Sequence, residues 1–76
     1  MYIYKKHGKK YSLLKDINTE DEYVIEEYII KLIREYIHKK VLPKIHTQYT
    51  GYYTVYYTEQ PNIILVVSKT PLSKSS

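Results

Sequence analysis

Cysteine, phenylalanine, tryptophan and alanine are all missing from this chain of 76 residues, and arginine occurs once, as Arg34. Without cysteine there can be neither a disulfide nor a thiolate zinc site, two devices that often stabilise so short a chain. Three histidines, His7, His38 and His46, stand far apart with no His-x3-His pair. No metal and no other cofactor is expected. The longest aliphatic run, residues 63–67, is far short of the ~20 residues that span a bilayer. The first residues carry lysines in place of the apolar segment of a signal peptide, so an intracellular, cytoplasmic setting without membrane contact is the expectation. Nor is there a Gly-rich phosphate loop, a nucleophile elbow or a pair of carboxylates at a recognisable catalytic spacing.

What the chain does contain is eleven tyrosines, ten isoleucines and eleven lysines, and Leu, Ile and Val together make 21 of 76 residues. That aliphatic share exceeds the roughly 20% below which charged chains stay disordered. One folded domain over residues 1–69 is expected, followed by a polar, frayed tail at 70–76. Chains this short seldom bury enough apolar surface to stand alone, and with disulfides and metals excluded, oligomerisation is the remaining device.

Charge is arranged in blocks: +5 over residues 1–15, −6 over 16–27 and +4 over 28–44. A helix explains the second and third blocks. Thr19 and Glu22 have the spacing of a capping box, acids crowd the first turn, Lys39 and Lys40 suit the last, and Pro43 stops the run. The predicted helix covers about residues 20–41, with Glu27, Lys31, Glu35 and Lys39 as an i,i+4 ladder of alternating sign. Ile25, Tyr28, Ile29, Leu32, Ile33 and Tyr36 form its core stripe. A second line, Tyr23, Ile30 and Ile37, is rotated away from the first and predicts a homodimer interface, a symmetric pair being the commonest assembly.

Strands flank the helix. Residues 2–5 and 11–14 read as a hairpin turning at His7-Gly8, which pairs Tyr4 with Tyr11. Residues 45–58 hold dense β-formers with a bulge or bend at Gly51, and 63–68 is the last strand after a turn at 59–62. The order β-β-α-β-β predicts an α+β fold of two layers, an antiparallel sheet with one long helix on one face.

Two features point to a partner. Lys5, Lys6, His7, Lys9 and Lys10 gather at the first hairpin with no acid among them, a pattern suited to nucleic-acid phosphates. Alternation sorts Thr50, Tyr52, Thr54, Tyr56 and Thr58 onto one face of the tyrosine strand. That Thr/Tyr face is the more polar and is expected to meet solvent, with Tyr52 and Tyr56 as stacking partners for unpaired bases. The reading is a basic, largely non-sequence-specific nucleic-acid-binding protein, since lysines on phosphates position a protein without reading bases. The competing reading is a viral or host protein-interaction module without catalysis, docking on a host protein through an exposed Tyr/Thr strand. A metal-independent RNase built on His38 and His46 with the neighbouring lysines is a remote option.

The Ile-, Tyr-, Lys- and Glu-rich usage of segments such as YIIKLIREYIHKK and YTGYYTVYYTEQ resembles the small proteins of crenarchaeal viruses from hot acidic springs. The same bias occurs in AT-rich bacteria and their phages. The viral resemblance implies a host cytoplasmic or virion setting and a heat-stable fold. With a single helix, the chain departs from the ribbon-helix-helix and helix-turn-helix regulators of such genomes.

Overall fold

The first hairpin shows how local chemistry sets the sheet. In the computed structural model, which describes residues 1–37 and 41–72, β1 (Tyr2–His7) and β2 (Lys10–Asp16) are joined by the two-residue turn Gly8-Lys9. Gly8 has φ of 59°, a left-handed value that glycine adopts without a Cβ penalty. His7 therefore pairs with Lys10, Lys6 with Tyr11 and Tyr4 with Leu13. This register lies two residues from the predicted Tyr4–Tyr11 pairing. A shift of two keeps every side chain on its face, so Tyr4 and Tyr11 become diagonal neighbours, edge to face at 6.1 Å. A bulge opposite Ile3 and Tyr4 leaves Leu14 as the extra residue of β2.

Helix α1 (Glu22–Ile37) starts later than predicted. The Thr19 capping box does not form. Asp21 caps the helix instead, its Oδ1 accepting from Tyr23 N at 2.9 Å while its carbonyl accepts the first helical bond from Ile25 N at 3.1 Å. Thr19 Oγ1 accepts from Asp21 N, a tight turn that delivers the chain to the cap. Asp is as good an N-cap as Thr and stands nearer the apolar stripe. At the other end Val41 already lies outside the helix and is 80% exposed; the expected last turn with His38, Lys39 and Lys40 lies outside the described residues.

The segment expected as one strand from 45 to 58 reverses at Gly51 into β3 (His46–Tyr49) and β4 (Tyr53–Thr58). Gly51 takes φ of 95° at the first central position of a two-residue turn, which the Thr50 N to Tyr53 O bond closes at 3.1 Å. After a turn containing a cis Gln60-Pro61 bond, β5 (Ile63–Ser68) enters the middle of the sheet, whose order is β2-β1-β5-β4-β3 with all neighbours antiparallel. The two-layer α+β class is as the sequence predicts, with five strands among the described residues.

The helix covers one sheet face. Ile25, Ile29 and Ile33 meet Ile3, Ile63, Leu65 and Val67, all buried; each such side chain contributes roughly 1.5–3 kcal/mol. Ile37 packs on this core as well, along with Leu42 and Ile45. Buried Thr58 and Ser68 donate their hydroxyl protons to the carbonyls of Pro61 and Thr70. The first residues of the expected tail stay on the domain, since Leu72 N donates to the Tyr4 hydroxyl at 2.9 Å. Residues 73–76 lie outside the described residues. Among the described residues no helix is long and apolar enough to cross a membrane.

Candidate nucleic-acid interface

The sheet does not hold the hairpin lysines as one patch. Alternation puts Lys5 on the helix side, where its ammonium sits 4.0 Å from the centre of the Tyr36 ring, a cation–π contact that ties β1 to the helix. His7 and Lys10 share that side near the exposed tip. Lys9 occupies the turn, and Lys6 points to the opposite face beside Tyr11. Only part of the expected cluster therefore looks in any one direction.

The tyrosine strand is turned the other way from the expectation. Cross-strand register sets Thr54, Tyr56 and Thr58 opposite Val67, Leu65 and Ile63, the β5 residues beneath the helix. Tyr56 is half-buried and packs on the core. Burial raises its hydroxyl pKa above the ordinary 10.0, and the carboxylates of Glu26 and then Glu22 push it the same way. The Thr/Tyr face is thus the helix side, and Tyr56 is not an exposed platform. β5 decides this, because its more aliphatic face must meet the helix. Tyr52, 87% exposed, stands at the tip of the β3–β4 turn, away from the sheet surface.

The face left uncovered by the helix carries the other alternation set. Tyr53, Val55 and Tyr57 of β4 stand beside Ile64 and Val66 of β5, with Lys6 and Tyr11 on one flank and Gln48 on the other. Together they shape a trough of about 380 Å³ in which no carboxylate takes part. Tyr57 stacks on His46, centroids 5.0 Å apart with an interplanar angle of 21°. Glu59 stands 3.5 Å from the His46 Nε2, at the end of the trough. On the helix side, Glu20, Glu22 and Glu26 border a groove of about 410 Å³ next to Tyr49 and Tyr56, with Lys69 3.7 Å from Glu20. A polyanion would be repelled there and tolerated on the open face.

Sequence reasoning missed Tyr11, Tyr53 and Tyr57 as surface groups. The signal was the β5 pattern, three aliphatics on one face and two on the other, but using it needs the β4–β5 register. The expected dimer residues lie along one helix but differ in exposure: Tyr23 is 81% exposed, Ile30 is half-buried beside Ile45 and Thr47, and Ile37 is on the core margin.

No family model, curated protein or solved structure matches this chain.

Proposed function

We propose that the protein binds single-stranded nucleic acid across the open face of its sheet. The observation that carries this reading is the trough in which Tyr11, Tyr53 and Tyr57 stand with Lys6 and without a carboxylate. Half-buried tyrosines held by strand packing offer bases a pre-set stacking surface, worth roughly 1–3 kcal/mol per base. Lys6 on the face supplies attraction for the backbone, so the interaction is salt-dependent and tolerant of sequence. The site differs from the one the sequence suggests. The tyrosines of the opposite alternation set do the stacking, and Lys6 of the hairpin assists from one flank.

Fluorescence anisotropy with a labelled oligothymidine and a duplex of equal length, at two salt concentrations, tests the reading. The single strand should bind more tightly than the duplex, and Y53S/Y57S should lose about tenfold or more in affinity. K6E should flatten the dependence of log K on log salt by roughly 0.7, the share of one phosphate no longer neutralised. Absent binding, equal binding of both forms, or an unchanged affinity of Y53S/Y57S refutes it.

A further inference from the structure

We infer that two copies of the chain join through the β3 edge, about a two-fold axis passing Ile30 and Thr47. The two edges of the sheet are unequally protected. β2 carries Lys10, Lys15 and Asp16 together with the bulge at Leu14, features that discourage a further strand. β3 reads His46-Thr47-Gln48-Tyr49, with no lysine, proline or bulge, and Thr47, Gln48 and Tyr49 are exposed. The Thr50 N to Tyr53 O bond fixes which backbone groups look inward. Hydrogen-bonded pairs alternate with non-bonded ones in an antiparallel ladder. Gln48 and His46 therefore spend their N–H and C=O on β4, and those of Thr47 and Tyr49 point off the sheet. An antiparallel copy meeting Thr47 with the partner's Thr47 satisfies these groups.

The helix above this edge carries a matching pattern. Tyr23, Glu26, Ile30, Arg34 and Ile37 follow one flank of α1 at spacings of three and four. Ile30 lines a groove with Glu26, Ile45 and Thr47, which sets this flank across that groove from β3. The flank is symmetric about Ile30 in shape and antisymmetric in charge. A two-fold axis at Ile30 sets Glu26 against the partner's Arg34 and Tyr23 against the partner's Ile37, each contact occurring twice. Neither Glu26 nor Arg34 has an ion-pair partner among the described residues. Because Ile30 and Thr47 share one groove, a single axis serves the strand pairing and the helix pairing together. The occupant this surface fits is a second copy of the chain, recognised by charge complementarity to itself.

Sedimentation equilibrium from about 1 to 100 μM tests the arrangement. Wild type should approach twice its 9.2 kDa. E26R or R34E alone turns two attractions into two repulsions and should weaken the dimer by about tenfold or more. The double variant E26R/R34E restores both pairs with the signs exchanged and should return to within about threefold of wild type. T47P, which removes an outward N–H, should also be monomeric, with circular dichroism confirming its fold; the surface charge variants decide the matter if T47P does not fold. A wild-type chain that stays monomeric at 100 μM, or an E26R/R34E dimer no stronger than E26R alone, overturns the proposal.

Discussion

With no phenylalanine or tryptophan, each tyrosine must reconcile an apolar ring with a hydroxyl that needs a partner or water. Tyr4 is 6% exposed and its hydroxyl accepts from Leu72 N; Tyr36 lends its ring face to the Lys5 ammonium. Tyr56 is wedged at the helix–sheet junction near two carboxylates, and its titration should be visible in stability. Folding holds the phenol protonated, through burial first and then through Glu26 and Glu22. The unfolded chain ionises near the ordinary value of 10.0. Above that pH the folded state binds more protons than the unfolded state, so stability falls as pH rises toward the folded pKa, and below it Tyr56 has no effect. Urea unfolding at pH 8 and pH 11 should show a smaller alkaline loss for Y56F than for wild type. Equal losses in the two proteins would mean that Tyr56 ionises as freely folded as unfolded.

The elements differ in how much of their geometry was written locally. The helix, the basic hairpin and the final strand were legible because apolar period, turn glycine and β-branched runs act over a few residues. Their details were decided by close competitors. Thr19 and Asp21 are both good caps, and the structure uses Asp21 for the helix and Thr19 for the preceding turn. D21A should therefore cost about 1 kcal/mol of unfolding free energy, with T19A costing less; the reverse order in urea melts would restore Thr19 as the cap. Gly8 and Gly51 marked reversals, yet whether Gly51 bent one strand or ended it rested on Thr50 capturing Tyr53. The exposed face of β4 was illegible for a non-local reason. Tyr56 and Tyr57 are equal as strand formers, and only the pairing of Tyr56 with Leu65 beneath the helix distinguishes them.

Over the whole molecule, the last strand in the chain is the central one in space. β1 and β2 pair with each other, as do β3 and β4, and the two hairpins meet through β5. Neither two-stranded unit is expected to persist in water by itself. β5 also supplies Ile63, Leu65 and Val67 to the helix while Ile64 and Val66 floor the open trough, so it couples the core to the proposed binding face. Leu65 is fully buried, between Lys5 of β1 and Tyr56 of β4 in the register. L65A should cost about 2–5 kcal/mol, the burial energy of the deleted methyl groups plus the penalty for the cavity left behind, which is a large share of the stability of a small domain. Because Leu65 stands at the junction between the hairpins, amide exchange in β1 and β4 should accelerate together and to the same free energy of opening. Protection that persists in β1 while β4 exchanges freely would show the hairpins to be independent units, and the central placement of β5 would then not be what makes this sheet cooperative.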